Sequence, residues 1–179
     1  MTSSYHITIR LDPHYQQFLR FHFGCDSEFF EFPCRCQFNT MLELMVVQKR
    51  WGDIVPDTDE WAFKIMLPVF NKKNPAFFRY LSEVKESLFK SNIKKYYDIV
   101  ITARIAELMA VKVHAPGGQI VKYNRKECTL ALIDEYGFNK DNQESFDRLY
   151  KLYTRYLQNE RWDTYQIKKL NERQNVKNS

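Results

Sequence analysis

Glycine and proline are scarce in this chain of 179 residues, with 5 and 6 respectively, which excludes a collagen-like repeat or a Pro/Gly-rich disordered chain. Cysteine is scarce as well. The four thiols, three of them between Cys25 and Cys36, are too few for a disulfide scaffold and fit reduced cysteines in a cytoplasm. No apolar run approaches the roughly eighteen residues needed to cross a bilayer, and the polar start MTSSYHITIR lacks the basic-then-apolar order of a secretory signal. The expected protein is cytoplasmic and has no membrane partner. Catalytic signatures are also missing: there is no phosphate loop, Rossmann glycine pattern, metalloprotease helix or nucleophile elbow. Gly117-Gly118 is not followed by the Lys-Ser or Lys-Thr of a nucleotide cradle. An enzyme is therefore the less favoured class, and no cofactor is expected.

What the chain does hold is the composition of a folded protein, 44% apolar and 27% charged, with room for one ordinary domain or two small ones. Its formal charge of +5 is unevenly placed: residues 1–74 carry 8 basic and 9 acidic groups, and residues 111–179 carry 13 and 9. From Arg148 onward, Arg148, Lys151, Arg155, Arg161, Lys168, Lys169, Arg173 and Lys177 face only Glu160, Asp163 and Glu172. Such a surplus attracts a polyanion, and nucleic-acid phosphate is the commonest in a cell; the bland reading is a solvated helix with a basic tail. Aromatic residues reach 16%. Their spacing assigns most of them to a core, although rings among cations also stack on unpaired bases.

Periodicity organises the chain into short units. Tyr5, Ile7, Ile9 and Leu11 alternate with polar residues as a strand. Asp12 and Pro13 then start a helix with Tyr15, Phe18, Leu19 and His22 on one side, ended by Gly24. Phe32, Cys34, Cys36 and Phe38 alternate as a second strand, and Thr40 with Glu43 caps a helix to about Arg50. Residues 52–60 read as an acidic loop. Trp61, Phe63, Ile65 and Leu67 make a third strand, Asn74-Pro75 a helix start, and Ser82 the start of a longer helix that breaks near Ser91-Asn92. The parallel between 5–24 and 61–81 suggests a duplication, 1–51 and 61–110. Ala115-Pro116-Gly117-Gly118 marks a boundary. Beyond it, Asn124 with Glu127 opens a helix closed by Gly137, and Asp141 with Glu144 opens another.

Three constellations carry the functional expectations. The helix, turn and helix from Asn124 to Leu157 resemble a helix-turn-helix, with Arg148, Lys151 and Arg155 at steps of three and four on one face. The six-residue gap from Ala131 to Gly137 departs from that motif's usual four, and a structural hairpin of two amphipathic helices reads the same way. His22, Cys25, Cys34 and Cys36 offer soft ligands, but without the paired spacing of a zinc site, so no metal is expected. Asp53, Asp57, Asp59 and Glu60 fit no calcium loop and read as a solvated linker.

The segments ITIRLDPHYQQFLRFHFG, FEFP, NPAFFRYLS and LIDEYGFNKDNQESFDRLYKLYTRY resemble a set of uncharacterised small proteins of phages and mobile elements of gut Bacteroidetes. That resemblance implies an accessory role in DNA transactions and brings no catalytic residues with it.

These readings converge on an α+β protein, with strand-helix modules over 1–114 and a helical, helix-turn-helix-like part over 115–179. The expected function is non-catalytic binding of nucleic acid, duplex DNA first, through Arg148, Lys151 and Arg155 with Lys168 and Lys169 as further phosphate contacts. The competing class is an interaction module, in which the aromatic helix from Phe146 to Leu157 docks a protein partner or a second copy of the chain. A third is a metal-dependent nuclease using Asp57 and Asp59.

Overall fold

The computed structural model of the chain describes residues 5–48, 60–70, 73–110, 112–114 and 120–159. In chain order the elements are β1 (His6–Arg10), α1 (Pro13–Phe23), α2 (Gln37–Met45), β2 (Val47–Gln48), β3 (Ala62–Met66), β4 (Phe78–Tyr80), α3 (Glu83–Ala110), β5 (Lys112–His114), β6 (Ile120–Lys122), α4 (Arg125–Glu135) and α5 (143–159). This is an α+β fold in which the strands form small antiparallel pairs, β1 with β3, β2 with β4 and β5 with β6. Among the described residues no helix is long and apolar enough to cross a membrane. The chain packs as two compact units, one up to Tyr97 and one from Asp98, so the division falls within α3. Residues 115–119, where the sequence places a boundary, lie outside the described ones, as do Asp53, Asp57 and Asp59 of the acidic loop.

In the first unit the alternating pattern does what strand geometry requires: Ile7 and Ile9 of β1 and Phe63 and Ile65 of β3 point into the core, and the polar side chains between them face outward. Phe30 adds a parallel bridge on the far side of β3, its N–H donating to the Lys64 carbonyl and its carbonyl accepting from Met66. Most of the aromatic surplus is spent inside. Phe18, Phe30, Phe32, Phe38 and Phe89 are all buried, with Phe30 edge-on to Phe32 and Phe32 stacked on Phe38 at 4.8 Å each. Helix α1 starts at the Asp12 cap, whose carboxylate accepts from the His14 N–H, and ends at Gly24 with φ 65°. The Cys25 N–H reaching back to Arg20 and the Gly24 N–H to Phe21 complete a Schellman closure. Two ring pairs tie α1 to α3: His14 Nε2 with Tyr97 Oη and His22 Nε2 with Tyr96 Oη, both at 2.8 Å.

Several local expectations are corrected here. Residues 34–35 form a turn and not a strand, and Phe38 belongs to α2, which begins at Gln37 and ends at Met45, well before Arg50. The physical reason is that Phe38, Leu42 and Val46 recur every four residues and are all fully buried, a helical stripe that outweighs the brief alternation of 32–38. Thr40 therefore sits inside the helix, and Cys36 occupies the cap position without a side-chain bond. Asn74-Pro75 opens a single turn, with Asn74 Oδ1 accepting from the Ala76 N–H, and the chain then enters β4. Phe77, in that turn, is 62% exposed. The strand-helix parallel with 5–24 thus stops at the end of β3. Helix α3 runs through Ser91-Asn92 without a break, because the Asn92 amide donates to the Leu88 carbonyl one turn back and follows the helix rather than competing with it.

Among its described residues the second unit is mainly helical, with β5 and β6 as an antiparallel pair. Helix α4 opens with the expected capping box: Asn124 Oδ1 accepts from the Glu127 N–H at 3.0 Å and Glu127 Oε2 from the Asn124 N–H at 2.8 Å. It closes at Gly137 (φ 63°), where the Phe138 N–H bonds the Ile133 carbonyl and the Gly137 N–H that of Asp134. The cap of α5 is Asn142, whose Oδ1 accepts from the Glu144 and Ser145 N–H groups, and not Asp141 as the spacing suggested. Asn142 wins because its neighbour is already turned by the Asn139 side chain, which accepts from the Asp141 N–H.

Candidate nucleic-acid interface

Helix α5 is fixed by one side and free on the other. Leu149, Leu152 and Tyr153 are buried, and Phe146 and Tyr150 stack on one another, half-buried, at 5.8 Å. Arg125, at the start of α4, lays its guanidinium over the Tyr150 ring at 4.5 Å and the Tyr153 ring at 5.9 Å, so a cation–π contact clamps the two helices together away from their connecting turn. The sequence reading missed this residue; its signal was only a basic residue in a first helical turn, where a cation is electrostatically disfavoured and needs another reason to stand. The aromatic side that a docking helix would offer is largely spent inside this unit.

On the opposite side, positions 148, 151 and 155 fall within about 60° of one another at 3.6 residues per turn. Their environments differ. Arg148 is bound by the Glu144 carboxylate one turn earlier, its side chain 26% exposed. Lys151 and Arg155 are exposed, and neither has an ion-pair partner among the described residues. The other acidic group of the helix, Asp147, accepts from the Gln143 amide at 2.8 Å. Elsewhere in the unit, Lys140 is paired with Asp134 at 2.5 Å. Arg104 is held by both Glu107 and Glu135, whose hydrogen bonds raise its pKa further above its ordinary value. Lys151 and Arg155 are thus without a carboxylate among the described residues, as is the exposed Lys126 of α4, in a unit where Arg104 and Lys140 are tethered. Lys168 and Lys169 lie outside the described residues.

The cysteine cluster comes out differently. Among the described residues no three His, Cys, Asp or Glu side chains are grouped so as to hold a metal ion. All four cysteines are free thiols. His22 is taken by Tyr96, and burial holds its pKa below the ordinary imidazole value. Burial opposes ionisation of the Cys25 thiol, but hydrogen bonds from the Ser27 hydroxyl and nearby backbone, with Arg20 close by, outweigh it and lower its pKa.

Compared with known proteins, the chain matches no family model, no curated protein and no solved structure.

Proposed function

We propose that this is a non-catalytic nucleic-acid-binding protein of the cytoplasm, an accessory of a phage or mobile element, that contacts the phosphates of duplex DNA through α5. The observation that carries this reading is the pair Lys151 and Arg155: both exposed, unpaired among the described residues, and on one face of a helix whose other face is anchored. Arg148 joins them when a phosphate replaces its Glu144 partner, an exchange of one surface carboxylate for another anion that costs little because such ion pairs contribute less than about 1 kcal/mol. Lys168 and Lys169 extend the same cationic run along the sequence. Contacts of this kind position a protein on the backbone and carry no base information, so the binding is tolerant of sequence.

The test is a fluorescence-anisotropy titration of a labelled duplex of arbitrary sequence at low salt. Binding is expected for the native chain and is expected to weaken strongly when Arg148, Lys151 and Arg155 are all changed to alanine. No binding at low salt, or equal binding by the variant, would overturn the reading.

A further inference from the structure

The first unit carries a second cationic surface, built by strand pairing and unrelated in sequence to α5. Because β1 and β3 pair with Thr8 opposite Lys64, the outward side chains of both strands share one face, the reverse of the Ile7, Ile9, Phe63 and Ile65 core face. His6 is exposed there, and its ring lies against the half-buried Phe29 ring with centroids 4.8 Å apart. The Lys64 ammonium sits 5.4 Å from the Phe29 ring centre and is paired with Glu28 at 2.5 Å. Arg79, exposed on β4, has no ion-pair partner among the described residues. Its charge reaches the same place: the His6 pKa is lowered, first by burial, then by Lys64 and then by Arg79, with Glu28 acting in the opposite direction.

We infer that this open face of the β1–β3 sheet, His6 with Phe29 beside Lys64 and with Arg79 on the adjoining β4, is a contact surface for single-stranded nucleic acid. The cations serve the phosphates, and the outermost ring of the His6–Phe29 pair offers a flat surface to an unstacked base. A two-stranded sheet face that puts rings among cations suits single strands better than duplexes, whose bases are already stacked and whose outside presents phosphate alone. Glu28 sets the threshold, since a phosphate must displace it from Lys64. The surface belongs to the unit ending at Tyr97 and uses no residue of α5, so it stands or falls separately from the duplex reading.

One consequence separates a phosphate site from a merely solvated face. A phosphate lodged between Lys64 and Arg79 offsets the repulsion that, after burial, holds the His6 pKa down, and so favours the charged form. Binding then takes up a proton, and affinity rises as the pH falls below the ordinary imidazole range toward the lowered His6 value. The probe is a labelled thymidine oligonucleotide about 20 nucleotides long, which has no duplex structure of its own. Lys64→Gln with Arg79→Gln is expected to lower the slope of log affinity against log salt by about 1.4, at roughly 0.7 per single-strand phosphate contact. Arg79→Gln alone, at an exposed position, is expected to lower it by about 0.7 and keeps the test decisive should the double variant fail to fold. His6→Ala is expected to abolish the strengthening at acid pH. An unchanged slope in Arg79→Gln, or oligonucleotide binding with no pH dependence, would overturn the inference whatever the outcome of the duplex titration.

Discussion

Asn39 shows how much of this fold rests on single side chains. Buried in the first turn of α2, it donates to the carbonyls of Phe32 and Pro33 at 3.3 and 2.9 Å, holding 32–36 as a turn, while its Oδ1 has no hydrogen-bond partner among the described residues. Asn39→Ala removes the amide donor from the Phe32 carbonyl, while Pro33 keeps the Cys36 N–H, and relieves one orphaned acceptor, so a net loss of about 1 kcal/mol is expected in urea unfolding. An unchanged midpoint would contradict that role. His22 makes the corresponding statement about pH. Its folded pKa lies below the usual imidazole value, so its contribution is present above that value and is lost as the pH falls through the lowered one. Stability is expected to decline on acidification from about pH 7 to about pH 5, with a shallower decline in His22→Gln; parallel profiles for the two proteins would contradict the assignment. Neither residue announces itself in the sequence. A side chain bonding backbone six and seven positions away leaves no motif, and Tyr96 is 74 residues from His22.

At the scale of elements, what local chemistry decides was legible and what pairing decides was not. The Asp12 cap, the Asn124–Glu127 box and both left-handed glycines were readable because each bond joins near neighbours. Gly137→Ala forces a β-carbon into the left-handed region and is expected to cost roughly 1–2 kcal/mol, read as a lower melting temperature; an unchanged melt would mean that the turn shifts freely. Strand β4 was misread as helix because three residues pair only with β2, thirty or more positions away. The alternation over 32–38 was a short accident beside the longer four-residue recurrence of Phe38, Leu42 and Val46. The Glu144–Arg148 pair was legible in principle, since a glutamate four residues before an arginine is the favoured helical order. It qualifies the site: Glu144→Gln removes the carboxylate that a phosphate must displace from Arg148 and is expected to tighten duplex binding by up to about fivefold at fixed low salt, since an exposed ion pair contributes less than about 1 kcal/mol. An unchanged affinity would place Arg148 outside the contact surface.

For the molecule as a whole, the two units divide the readable from the unreadable. The three- and four-residue spacing placed Arg148, Lys151 and Arg155 on one face of α5 from the sequence alone, since helical geometry is local. The sheet face was hidden, because His6 and Lys64 are brought together only by β1–β3 pairing across more than fifty residues of chain, and Arg79 only by the packing of β4 beside β1. Charge bookkeeping also misled in part: the downstream surplus includes tethered cations such as Lys140 and Arg148, and the unit up to Tyr97, with 13 basic against 11 acidic groups, has a surplus of its own and exposes Arg79. What governs polyanion binding is the population of exposed cations without a carboxylate, and net charge reports it poorly.

The most direct measurement is the salt dependence of duplex affinity for the native chain beside Lys151→Ala with Arg155→Ala. Two lost phosphate contacts at about 0.9 each predict a slope shallower by about 1.8 with the fold intact by circular dichroism. Equal slopes for the two proteins, or no duplex binding by the native chain at low salt, would contradict the claim that the free face of α5 is where this protein meets nucleic acid.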